Sequence, residues 1–96
     1  TMIKEFIALE VRVEGEQNHD LFIGVTGGRY QLCGFRPSSM KAFFSDREEC
    51  QDRNYGTVYL PEGKKSFSEL VKGDILSVKR NGEPSSFDGA TYLRHI

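Results

Sequence analysis

Ninety-six residues, 38% hydrophobic and 28% charged, make one globular domain with enough chain to bury a core without metals or a disulfide framework. Thirteen basic against fourteen acidic residues give a net charge of -1, and no region has a basic surplus greater than one. That balance argues against a dedicated duplex-DNA binder, whose affinity comes largely from phosphate neutralisation, while leaving room for a local basic patch, and no apolar run reaches the ~20 residues of a membrane span.

Ten glycines and three prolines in so short a chain predict many turns and short strands. The first element is an alternation from Met2 to Glu14. Ile3, Ile7, Leu9, Val11 and Val13 fall on one face; Lys4, Glu10, Arg12 and Glu14 fall on the other. Period two marks a half-buried strand. Glu5 sits on the apolar face, so a bend or bulge is expected near the start, and Glu5 and Glu10 also break any signal-peptide core. Gly15 to His19 supplies a turn. Leu21, Ile23 and Val25 form the inward face of a second strand, with Phe22 on its opposite side. Gly27-Gly28 is a two-residue hairpin signal, because glycine takes positive φ without a Cβ clash. A third strand, Arg29 to Phe35, completes an antiparallel meander.

Pro37 ends the meander. Met40, Phe43 and Phe44 have helical spacing after Ser38-Ser39, which predicts a short helix over Ser39 to Phe44. A polar stretch follows, so that residues 36 to 55 read as an excursion from the domain. Thr57 to Leu60 is the fourth strand. Ser66 and Glu69 have capping-box spacing and Gly73 suits a helix end, predicting a helical turn over Ser66 to Lys72. Asp74 to Arg80 is the fifth strand, Asn81-Gly82 a turn, Glu83 to Gly89 a flexible loop, and Ala90 to Ile96 the sixth strand. The expected core is Ile7, Leu9, Val11, Ile23, Val25, Leu32, Val58, Leu60, Leu70, Leu76 and Val78.

These elements predict a single all-β domain over residues 1–96 with one or two short helices, built as a five- or six-stranded antiparallel barrel of OB or SH3-like kind. In SELVKGDILSV, the glycine lets the chain reverse and Asp74 can accept hydrogen bonds from turn amides. Together with DGATYLRHI, this stretch resembles the C-terminal part of OB-fold single-strand-binding proteins. The resemblance covers Ser66 to Ile96. It implies a barrel and, by analogy, a single-stranded nucleic-acid ligand.

No serine sits in a nucleophile elbow and no glycine-rich loop precedes a helix, so the chain reads as a non-enzyme with no cofactor. His19, His95, Cys33 and Cys50 lack zinc-ligand spacing, and Asp46, Glu48, Glu49 and Asp52 lack calcium-loop spacing, so no metal is expected. The two cysteines are expected to be reduced thiols in a cytoplasmic protein. The function that remains is a binding module: a protein-interaction, inhibitor or adaptor protein. Its expected contacts are Arg36, Met40, Lys41, Phe43, Phe44, Arg47 and Arg53, because an aromatic pair among charges is typical of interface anchors. The alternative is single-stranded nucleic acid, with Lys79, Arg80 and Arg94 on phosphates and Tyr92 as a stacking ring. Self-association through the long first strand, as a sheet edge, is a further expectation.

Overall fold

The computed structural model of the chain describes residues 5–40 and 53–96. Within them run seven antiparallel strands: β1 Glu5–Arg12, β2 His19–Thr26, β3 Arg29–Pro37, β4 Thr57–Tyr59, β5 Ser77–Arg80, β6 Glu83–Pro84 and β7 Thr91–His95. They form one sheet in the order β6-β5-β4-β3-β2-β1-β7. The predicted meander is its centre. Gly27 and Gly28 both take positive φ, 55° and 77°, as the tight β2–β3 hairpin demands.

Alternation decides the packing. Leu9, Val11, Leu21, Ile23, Leu32, Val58, Leu76 and Val78 face one side and are essentially solvent-free, joined there by Phe67, Leu70, Phe87, Ala90 and Tyr92. Ile7 and Leu60 pack against this core but are only partly buried, and Val25 is half-buried. Phe22 points the other way, as its parity requires, and with Cys33, Phe6 and Ala8 makes a second, smaller apolar cluster.

Two bulges re-aim side chains. One lies between Phe22 and Ile23 in the β2–β3 register, where Cys33 is the extra residue. The other shifts β1 against β7 at Glu10/Val11, so that Val11 faces Tyr92 while Glu10 faces Arg94. The extra residue here is Leu93 of β7, whereas β1 keeps an unbroken register with β2 from Glu5 to Val11, so among the described residues no bulge falls at Glu5. The Leu9 to Arg12 half of β1 is also no free edge. The strand pairs with β2 along Glu5 to Val11 and with β7 along Leu9 to Arg12.

The predicted Ser66 to Lys72 helix is a single 3-10 turn, Phe67–Glu69. The Glu69 carboxylate accepts from the Lys65 and Ser66 amides, at 2.9 and 3.0 Å, and so holds its start. Asp74 does what a turn aspartate is expected to do, accepting from the Val71 amide at 2.9 Å. Glu83 to Gly89 is not simply a loop. Glu83–Pro84 pairs with β5 across a turn in which Asn81 and Gly82 both have positive φ, and Phe87 is buried. Residues 73–76 meet residues 89–92 through the Ile75↔Thr91 bridge, with amides of Leu76, Gly89 and Tyr92 bonded to Ala90, Leu76 and Asp74 carbonyls. The expected Ser39 to Phe44 helix lies largely outside the described residues.

Cys33 is disulfide-bonded. The chain contains two cysteines, and the second, Cys50, lies outside the described residues. This corrects the reduced-thiol expectation, which rested on the lack of any local sequence signal bringing the two together. The support it gave to a cytoplasmic home falls with it, since stable disulfides belong mainly to oxidising compartments. Among the described residues, no helix is long and apolar enough to cross a membrane.

Candidate aromatic groove

β4 is only three residues long, whereas β3 runs nine. Among the described residues, the sheet therefore splits beyond the start of β4, between the far half of β3 and the β5–β6 hairpin. Among the described residues, Leu32 is the last in β3 whose main chain bonds across the gap. Its amide donates to the Gly56 carbonyl and its carbonyl accepts from the Tyr55 amide, both at 2.8 Å. Gly56 makes this approach feasible. Its φ is +132°, and a Cβ there would stand 2.9 Å from the Lys79 carbonyl oxygen. Asn54 Oδ1 accepts from the Gly56 amide and fixes the same corner.

Three rings line the split. Phe35, opposite Leu21 in the register, emerges on the core side at the end of the sheet and is 40% exposed. Its ring centroid lies 5.1 Å from Tyr55 and 4.9 Å from Phe87, in edge and tilted contacts. Such contacts favour a fixed arrangement of rings. His19 touches the far side of Phe87 at 5.4 Å. Phe87 is held in place by its loop. The Ser85 amide donates to the Val78 carbonyl, the Phe87 amide to Ser85 Oγ, and the Gly89 amide to the Leu76 carbonyl. Asp88 ties the loop to β5, accepting from Lys79 Nζ at 2.9 Å and from the Val78 amide at 2.8 Å. The lysine first, and then the amide, hold the Asp88 carboxyl below its ordinary pKa.

The result is a groove of about 520 Å³, floored by Phe35, Tyr55 and Phe87 and rimmed by Arg80, Glu83 and the Ser85-Ser86 loop. A hollow of that size, mostly apolar with a few polar groups, suits a bound side chain or short segment. A second hollow of about 530 Å³ lies by the β2–β3 hairpin, between Arg29, Tyr59 and Lys64. Tyr59 is 52% exposed, but Lys64 is engaged by Asp74 at 3.5 Å and by the Glu69 carbonyl.

The described members of the expected protein-binding set, Arg36, Met40 and Arg53, do not line this groove. Arg36 is directed across the sheet, its Nε 3.6 Å from Asp20 and its guanidinium 5.1 Å from the Phe22 ring centroid. Met40 and Arg53 are exposed; Lys41, Phe43, Phe44 and Arg47 lie outside the described residues. Of the alternative set, Lys79 is paired with Asp88, and Arg94 is paired with Glu10 at 2.7 Å. Tyr92 is buried, its hydroxyl 2.6 Å from His95 Nδ1, so its ring is not presented for stacking. Only Arg80 of those four stands on the groove. Tyr55 and Phe87 were missed by the sequence reading. The available signal for Phe87 was a lone aromatic in the polar run PSSFDG, a residue with nothing to do there unless it anchors the loop. Among the described residues, no three His, Cys, Asp or Glu side chains are placed to share a metal ion.

Comparison of the chain with protein-family models, with curated proteins and with solved structures gives no match, so its function is read from this geometry alone.

Proposed function

We propose that the protein is a non-catalytic binding module for another protein, acting as an interaction, inhibitor or adaptor subunit, and that the Phe35–Tyr55–Phe87 groove is its principal contact. The single observation that carries this is the half-exposed Phe35 ring held between two fixed aromatic neighbours in an open hollow. Preordered aromatics beside a polar rim are the usual anchors of protein interfaces. In sequence, Phe35 and Tyr55 flank the 36–55 excursion. On this reading the ladder between residues 73–76 and 89–92 closes the sheet into a small barrel of OB or SH3-like kind, with the groove at one end of it.

Single-stranded nucleic acid is the second reading. It is favoured by exposed Tyr59 beside Arg29, while three of its four expected residues are already engaged or buried. Affinity capture with wild type and Phe35→Ala/Tyr55→Ala, with and without nuclease, tests the two. A partner that survives nuclease, rebinds when purified and is lost by the variant is the expected result. Retention by the variant overturns the site, and loss on nuclease treatment overturns the protein reading.

A further inference from the structure

The groove exposes main chain as well as rings. In the β2–β3 pair, the Ser38 amide donates to the Asn18 carbonyl at 2.9 Å. Antiparallel strands alternate between pairs that exchange hydrogen bonds and pairs that do not. Counting back by two from Ser38, Arg36 and Gly34 are the residues that bond toward β2, opposite Asp20 and Phe22. Phe35, between them, directs its own N–H and C=O away from β2. On that side β4 would continue the sheet, but β4 begins only at Thr57, and the last bonds across the gap are those of Leu32. No described residue bonds the Phe35 main chain across the split.

A donor and an acceptor at strand spacing, beside an aromatic hollow, form the two halves of an extended-peptide site. The backbone pair supplies register and the hollow takes a side chain. The next main-chain groups set the limits of the site. The Pro37 carbonyl already accepts from the Met40 amide, and proline has no N–H to offer. The pairing is therefore confined to one residue, Phe35.

Charge separates the candidate occupants. Arg80 and Glu83 stand on the rim, one of each sign, and neither has an ion pair among the described residues, whereas neighbouring Lys79 is already neutralised by Asp88. A rim of both signs complements a polypeptide of mixed charge and offers a polyanion no net attraction.

We propose that this groove binds an extended peptide segment of a partner protein, which adds alongside β3 by exchanging two hydrogen bonds with the Phe35 main chain and sets an apolar side chain on the three rings. This inference rests on the protein-binding reading above and specifies its mode.

The probe is a short peptide selected from a random display library on wild-type protein, with counter-selection against Phe35→Ala. The peptide is then resynthesised with each backbone amide N-methylated in turn. N-methylation removes one hydrogen bond without touching the protein, and at one position only it is expected to weaken binding roughly three- to tenfold. In amide exchange by NMR, the Phe35 N–H is expected to become protected when the peptide binds. A selected peptide that tolerates every N-methylation and leaves Phe35 exchange unchanged overturns strand addition while the protein-binding reading stands. A library that yields no peptide, with oligothymidylate shifting the groove resonances instead, overturns both.

Discussion

Gly56 lies directly against the Lys79 carbonyl, so closely that a Cβ on it would stand 2.9 Å from that oxygen and 3.2 Å from Val78 Cγ1. Two effects therefore fall on Gly56→Ala: strain at φ +132° and a backbone clash with no flexible atom to yield. Together they are expected to cost about 2–4 kcal/mol, above the ~1–3 typical of a strained backbone position alone. Urea unfolding measures this directly. Because Gly56 sets the position of Tyr55, the variant should also broaden the Tyr55 ring resonances.

The groove rings divide by role. Phe87 is 6% exposed and closes the core, so Phe87→Ala is expected to cost about 3–5 kcal/mol. Phe35 is 40% exposed, and Phe35→Ala is expected to cost about 1 kcal/mol or less. Thermal melts of the two variants should differ accordingly. The second variant remains folded enough for binding measurements.

Asp20 is 1% exposed, with Ser38 Oγ donating to its carboxylate at 2.8 Å and Arg36 Nε paired with it through charge alone at 3.6 Å. Arg36 Nε and Nη1 are themselves buried and without a hydrogen bond. Removing the carboxylate leaves that guanidinium uncompensated, and Asp20→Ala is expected to cost about 3 kcal/mol. Asp20→Ala/Arg36→Met removes the stranded charge as well and should recover much of the loss. A double variant no more stable than the single one would show that the pair does not act this way.

Glu10 is held below the ordinary carboxylate pKa, chiefly by its hydrogen bond from Arg94 and less by Asn18 and Ser38. A depressed folded pKa contributes stability that is present above the unfolded value, 4.5, and lost as pH falls through the folded one. Arg94→Met should therefore be less stable than wild type near neutrality, by about 0.5 kcal/mol as for partly exposed pairs. The gap should close as the pH drops below 4.5. Denaturation at a series of pH values reads both ends.

Without reductant, unfolded protein is expected to resist alkylation at Cys33, and after reduction to be alkylated at both cysteines. Mass spectrometry of the two samples decides it. Alkylation of Cys33 before reduction would restore the free-thiol reading.

Strand parity was legible wherever it ran unbroken. Leu9, Val11, Ile23 and Leu32 went inward and Phe22 outward, as period two requires. The misreadings cluster where parity is broken. Tyr92 and Arg94 were grouped as an aromatic beside a basic residue, and in a regular strand they would share a face. The register shift opposite Glu10/Val11 instead turns Tyr92 into the core and leaves Arg94 outside on Glu10. A bulge depends on a partner strand far away in sequence, so no local pattern announces it. The groove was hidden for a related reason. It exists because β4 stops short beside a longer β3, and relative strand lengths across a sheet are a tertiary fact.

Glu10 and Arg94 stand 84 positions apart in the chain and 2.7 Å apart in space. This has a consequence in time. At ~5–20 residues per second, a chain leaving the ribosome has its β1–β3 meander available for several seconds before β7 emerges. Until then Leu9 to Arg12 lack their second neighbour, and the sheet shows a bare edge that the finished protein does not have. Refolding of the whole chain should be slow for its size, in the milliseconds-to-seconds range of folds dominated by distant pairings. The interval before β7 docks is when the chain is most open to pairing with another copy of itself.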